Sequence, residues 1–307
     1  MDLSLGLRGW SSSPLAKKAK RWFAPAWRVD ENGYAYANPT LGNELFVNGS
    51  FATDTNWAKG VGWTISGGVG VGTAISATAH LTQSIRPDLK PYVMTFDIVT
   101  QTAGVLQTRD SGSNGSGFTT TGAKSASRFP SQNGLAGLTG NVSAWTGTVD
   151  NLSAKQIAQV AHAGIRSIGV QRVGIKIQTF DGNHPFQLYG WSGEFPLIEA
   201  ANCLRITAQA TATSAFQIRL AKQVNNAFTT LINFATVTFV ANALLEIRRP
   251  SGNTFQMWYN GAQVGTDVTV SDASIIDNDY FSMIALHPTT RFSEFQINGV
   301  AVPFDFK

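Results

Sequence analysis

Paired carboxylates, clustered histidines or an activated thiol are what this 307-residue chain would need for catalysis. Glycoside hydrolysis by a covalent intermediate takes two carboxyl groups about 5 Å apart, which alternate positions of one strand supply. No Glu-x-Asp-x-Glu run occurs; the densest acidic stretch, Asp272 to Asp279, is interrupted by Ile275-Ile276, and its Asp277-Asn278-Asp279 reads as a turn. The histidines His80, His162, His184 and His287 lack the close spacing of zinc or iron motifs. No glycine-rich loop ends in Lys-Ser or Lys-Thr, so no nucleoside triphosphate cradle is indicated. The single cysteine, Cys203, excludes an intrachain disulfide and sits in the apolar run Cys203-Leu204-Arg205-Ile206, where it reads as a small buried hydrophobe. These absences predict a chain that is not an enzyme.

Recognition chemistry remains. Trp57, Trp63, Trp145, Trp191 and Trp258 are rings on which a sugar could stack, against the plainer reading that they fill core or rim. Trp258 stands out because Thr254 to Tyr259, Asn260-Gly261 and Ala262 to Gly265 form a β-hairpin with a two-residue Asn-Gly turn. Pairing across that turn puts Phe255, Met257, Tyr259, Ala262 and Val264 on one side and Gln256, Trp258 and Gln263 on the other. Trp258, Gln256 and Gln263 are therefore the candidate glycan contacts.

The elements that must position them are short strands. In Tyr92 to Thr100, Tyr92, Met94, Phe96 and Ile98 fall on one face and Val93, Thr95, Asp97 and Val99 on the other, the period of a half-buried strand. Leu81 to Ile85 repeats it, and further runs are Ile165 to Ile168, Val173 to Phe180, Phe186 to Tyr189, Ala215 to Leu220, Ala227 to Phe239, Ala243 to Arg248 and Phe281 to Leu286. Gln101 to Asn141, rich in Gly, Ser and Thr, reads as a loop, and Gln156 to Gly164 as one or two helical turns.

Only 14 % of residues are charged, a balance that suits extracellular or virion β-proteins better than cytosolic enzymes. No apolar run reaches the roughly 20 residues of a membrane helix. Lys17 to Arg21 resembles the charged start of a signal peptide, but Trp22 to Arg28 contains Pro25 and a further charge in place of an apolar core, so no export signal is read.

Residues 1–42 differ in composition from the rest of the chain. Trp10, Trp22 and Trp27 accompany Lys17, Lys18, Lys20, Arg21 and Arg28, too much aromatic area to leave wet and too short a chain to bury it alone. One reading is an extended arm that docks on a partner subunit through these residues; the other is that it folds back on its own domain. The five-residue cluster Lys17 to Arg21 is too little to support nucleic-acid binding.

Two stretches resemble known families. Asn43 to Phe51, Gly62-Trp63, the Leu81 and Tyr92 strands and the closing Val149-Asp150-Asn151-Leu152-Ser153 resemble the galactose-binding-like jelly rolls. That family includes carbohydrate-binding modules and domains in structural proteins of tailed bacteriophages. It implies a jelly roll over 43–156 and a structural calcium between the opening segment and the last strand, where Asp150 and Asn48 would offer oxygen ligands; otherwise Asp150 simply hydrogen-bonds a turn. Residues 157–307, through the Phe-x-Met-Trp-Tyr-Asn-Gly hairpin, are similar to concanavalin A-like and laminin G-like sandwiches. Together these imply an all-β chain of two antiparallel β-sandwich (jelly-roll) domains after an N-terminal arm. The function implied is a non-enzymatic virion protein of a tailed phage, in head decoration, head fibre, neck or tail. It would assemble in the host cytoplasm as a homo-oligomer bound to other virion proteins through the arm. The alternative is an adhesin or receptor-binding module for a host surface glycan.

Overall fold

The computed structural model describes residues 20–23, 26–86, 91–110, 113–129, 134–159, 161–193, 202–210, 215–225 and 227–302. Their strands pair antiparallel throughout and form four sheets, which close on two separate apolar cores as two β-sandwiches.

The first sandwich faces a six-stranded sheet against a five-stranded one. The six-stranded sheet runs Gly122–Arg128, Tyr92–Ala103, Trp145–Gln159, Val69–Ile75, Trp63–Ser66, with Thr40–Glu44 beside Trp145–Gln159. The other runs Ser113–Phe118, Leu106–Asp110, Gly134–Gly140, His80–Arg86, Ala58–Lys59. Tyr92, Met94, Phe96 and Ile98 point into the core, as their alternation requires. Trp145 is fully buried with Trp63 stacked on it at 5.4 Å. The ring fits because Gly72 and Gly147 flank it: a Cβ on either would lie 2.4 and 2.7 Å from indole carbons.

Two sequence expectations fail here. The Gly- and Ser-rich 101–141 stretch is not a loop but supplies four strands, Leu106–Asp110, Ser113–Phe118, Gly122–Arg128 and Gly134–Gly140. Small residues were needed for close backbone approach: a Cβ on Gly140 would meet the Ile75 carbonyl oxygen at 1.7 Å, and one on Gly137 the Leu81 carbonyl oxygen at 2.0 Å. Likewise 156–159 and 161–164 are strand, the end of Trp145–Gln159 and the start of Ala161–Arg166, because both are held by ladders on neighbouring strands that override weak helical propensity.

The second sandwich has a seven-stranded sheet in the order Lys20–Phe23, Ala161–Arg166, Tyr280–Ala285, Phe186–Ser192, Cys203–Ala210, Phe216–Val224, Ala227–Thr236. The facing eight-stranded sheet runs Trp27–Val29, Ala35–Ala37, Arg291–Ile297, Arg172–Thr179, Ala243–Ser251, Thr254–Tyr259, Ala262–Thr269, with Val300–Val302 also on Arg291–Ile297. The Asn260-Gly261 turn joins Tyr259 to its partner Ala262 with φ of 50° and 80°, the left-handed pair that a two-residue hairpin loop demands.

The N-terminal segment therefore departs from the extended arm. Lys20 to Phe23 pair with Ile165 and its neighbours, carrying Lys20, Arg21 and Trp22 into the edge of the seven-stranded sheet. Trp27 is 3 % exposed and meets Phe292 edge-on at 5.9 Å, so it belongs to this chain's own core and is not an anchor for another subunit. Asp30 bonds Arg291 at 3.1 Å, and Arg291 stacks on Tyr36 at 4.2 Å. The physical reason is that an open sheet edge leaves backbone N–H and C=O groups unpaired, and these short strands satisfy them on both sheets. Arg28 remains at the surface, its guanidinium bonded to the Trp27 carbonyl at 2.8 Å. Trp10, Lys17 and Lys18 lie outside the described residues.

The expected boundaries at 42/43 and 156/157 thus shift. Residues 20–37 and 161–302 build one sandwich, and 40–159 form the other as an insertion within it. Its entry and exit are adjacent, since Thr40 pairs with Gln159. Residues 40–159 expressed alone are therefore expected to fold and melt cooperatively, because excision cuts the chain at two neighbouring points and leaves the core whole. Absence of a cooperative melt, followed by circular dichroism, would refute this autonomy.

Candidate functional site

The outer face of the eight-stranded sheet carries a row of polar groups around one aromatic ring. Along Thr254–Tyr259 the burial alternates, with Phe255, Met257 and Tyr259 in the core and Gln256 and Trp258 facing out. Register aligns Gln296, Gly174, Glu246, Trp258 and Gln263 across five strands, with Arg172, Arg248 and Gln256 beside them. Trp258 is half-buried; its Nε1 donates to Gln256 Oε1 at 2.9 Å, and the Arg248 guanidinium lies 3.8 Å from its ring centroid. Glu246 is 2 % exposed, accepts from Arg248 Nε and Nη2 at 3.1 and 2.5 Å, and has Arg172 Nε at 3.7 Å. Gly174 makes that posture feasible, for a Cβ there would come within 2.8 Å of Glu246 Cγ. Gln256 and Gln263 both donate to Asp267 Oδ1 at 2.8 Å. The sequence picked out Trp258, Gln256 and Gln263 from the hairpin alone; Glu246 and Arg248 reach them from the neighbouring strand through sheet pairing, and Asp267 from further along the hairpin's second strand. Trp57, Trp63, Trp145 and Trp191 are core residues.

A second cluster lies where the sandwiches meet. Val93 and Ile157 of the inserted sandwich pack on Tyr189, Cys203, Ile284 and Leu286 of the other. Beside this apolar seam, Ser127 on the edge strand Gly122–Arg128 donates its backbone N–H to Asn183 O at 3.0 Å, and its Oγ bonds His184 Nδ1 at 2.7 Å. His184 stacks flat on His287, with centroids 3.5 Å apart and planes 6° from parallel. Asp181 Oδ2 is 3.7 Å from His184 Nε2, while Asp181 Oδ1 accepts the Asn183 N–H at 3.0 Å. His287 Nδ1 bonds Thr289 Oγ1 at 2.9 Å. Burial first, then the neighbouring His287, push the His184 imidazole down to about 3, and Asp181 only partly opposes them. His287 is lowered as well, chiefly by burial. Serine, histidine and aspartate in contact are the atoms of a nucleophilic triad, yet Ser127 is 1 % exposed and an imidazole titrating near 3 is a weak general base at neutral pH.

The oxygen ligands expected for calcium are otherwise engaged. Asn48 donates to the carbonyls of Thr53 and Thr55 at 2.6 and 3.1 Å, and its Oδ1 takes the Thr53 N–H at 3.4 Å. Asp150 Oδ1 accepts the Asn151 N–H at 2.7 Å at an irregularity within the strand Trp145–Gln159, not in a turn, where Asn151 holds a φ of 53°. Asp150 belongs to no group of three or more histidine, cysteine, aspartate or glutamate ligand atoms among the described residues. On the seven-stranded sheet, sequence reading also missed Arg205 and Arg219, each 4.6 Å from the Phe228 ring; burial and Arg205 hold Arg219 down to about 10.

No family model matches the chain, and no curated protein matches it. Among solved structures the chain is similar to the carbohydrate-binding module CBM66 from Bacillus subtilis, at 17 % identity and a TM-score of 0.30. That match covers 44 % of this chain and 80 % of the module. At that distance nothing about this chain's ligand follows from the likeness.

Proposed function

We propose that this chain is a non-catalytic recognition protein whose eight-stranded sheet presents a saccharide-binding face centred on Trp258. The observation that carries it is Trp258 itself: a half-buried indole on an outward face, anchored through Nε1 to Gln256 and backed by Arg248. A sugar ring would stack on the indole face that Arg248 leaves, while Gln263, Asp267 and Arg248, held in place by the buried Glu246, would meet its hydroxyls. The network is held together before any ligand arrives, which reduces the ordering cost of binding. The non-catalytic part rests on the lack of a strand bearing paired carboxylates.

Display of these sandwiches on a phage particle is the use that the sequence resemblance suggests. Any anchoring by an arm would fall to residues 1–19, since Trp27 is committed to the core. The test is a glycan-panel screen followed by calorimetry with the best hit. Trp258→Ala should weaken binding by roughly tenfold or more, the scale of an aromatic hot spot, with the melting temperature little changed. A panel with no binder, or equal affinity in the variant, would sink the assignment.

A further inference from the structure

We propose that Asp181, His184 and His287 form a binding site for one divalent transition-metal ion, zinc by preference, at the seam between the two sandwiches. Each offers one ligand atom, and these atoms lie within 4.8 Å of one another. Zinc bonds of about 2.0–2.1 Å put tetrahedral ligand atoms about 3.3 Å apart, so the 3.7 Å between His184 Nε2 and Asp181 Oδ2 needs little closing. Two imidazoles and one carboxylate suit zinc, nickel, copper or ferrous iron and not calcium or magnesium, which take all-oxygen sets.

The outer hydrogen bonds point the same way. Both Nδ1 atoms are engaged by hydroxyls, His184 on Ser127 and His287 on Thr289, which leaves Nε2 of each ring as the ligand atom. The backbone N–H of Asn183 occupies Asp181 Oδ1 and leaves Oδ2 on the histidine side. One change is required. Parallel rings cannot both hold one ion in their planes, so metal binding must splay the stack. His184 is 3 % exposed and tied across the seam to Ser127, whereas His287 is only half-buried and bonds within its own turn, so His287 is the ring that tips. Three protein ligands leave a position for water. Because Ser127 comes from the inserted sandwich, the ion would also brace the seam. This site shares no residue with the Trp258 face and stands whether or not a sugar binds there.

The experiment uses the full chain, freed of any purification tag and stripped with chelator, titrated with zinc and with cobalt(II). Expected are saturation near one equivalent, visible cobalt absorption of a nitrogen-ligated site, and a raised melting temperature that chelator reverses; calcium and magnesium should do none of these. His287→Ala and Asp181→Asn, each first shown to be folded, should weaken zinc binding at least tenfold, whereas His80→Ala should not. Absence of saturable binding by the native chain, or unchanged affinity in both folded variants, overturns the proposal.

Discussion

Removal of residues 1–42 is expected to unfold the second sandwich. The truncation would take away Lys20–Phe23 from one sheet and Trp27–Val29 with Ala35–Ala37 from the other, together with the buried Trp27. Trp27→Ala alone should cost about 3–5 kcal/mol, the range for deleting a buried large aromatic, because the void beside Phe292 cannot refill from an edge strand. Denaturant unfolding of native, Trp27→Ala and truncated chains gives the measurement. A truncated chain that melts like the native one would show that these strands decorate the sandwich and do not complete it.

Stability of the metal-free chain should fall as the solution is acidified from pH 6.5 towards 3. The folded protein holds His184 neutral, with its titration near 3, while the unfolded chain takes up a proton near the ordinary 6.5. Between those limits the unfolded state binds more protons, so stability is fully present above 6.5 and is lost as pH drops through the window. Each unit of pH costs up to about 1.4 kcal/mol for a histidine in this state, so a drop from pH 6.5 to 5 is worth on the order of 2 kcal/mol. The groups facing His184 are His287, lowered in the same direction, and Asp181, which partly offsets both. Unfolding at pH 8 and pH 5 should show a smaller difference in His184→Gln than in the native chain. An equal difference in the two would place the acid sensitivity elsewhere.

The elements most legible in the sequence were those whose logic is local. Tyr92, Met94, Phe96 and Ile98 announce a half-buried strand by alternation, and Asn260-Gly261 announces its turn because few other pairs enter left-handed backbone so readily. The strands between Leu106 and Gly140 stayed hidden since they pair through backbone with side chains kept small for close approach, which removes the periodic signal. The N-terminal strands are short, and their partners, Arg166 and Phe292 among them, lie far along the chain. The histidine cluster was invisible for the same reason. His184 and His287 flank the paired strands Phe186–Ser192 and Tyr280–Ala285, far apart in sequence, and only the docking of the inserted sandwich brings Ser127 to them. For Trp258 the hairpin sufficed to say which way it faces, but Glu246 and Arg248 come from the neighbouring strand and needed the register.

The insertion also sets a timetable for the chain as it leaves the ribosome. Strand Lys20–Phe23 and the hairpin of Trp27–Val29 with Ala35–Ala37 are made before 40–159, yet the strands they join in the two sheets, Ala161–Arg166 and Arg291–Ile297, are made only after it. At about 5–20 residues per second, the last of those neighbours arrives on the order of ten seconds after the inserted sandwich is complete. Throughout that delay the early tryptophan strands have no sheet to join, while the inserted sandwich can already close its own. The nascent chain therefore holds a short aromatic hairpin without its sheet ahead of a finished domain, a state in which a chaperone or a second nascent copy would find its opportunity.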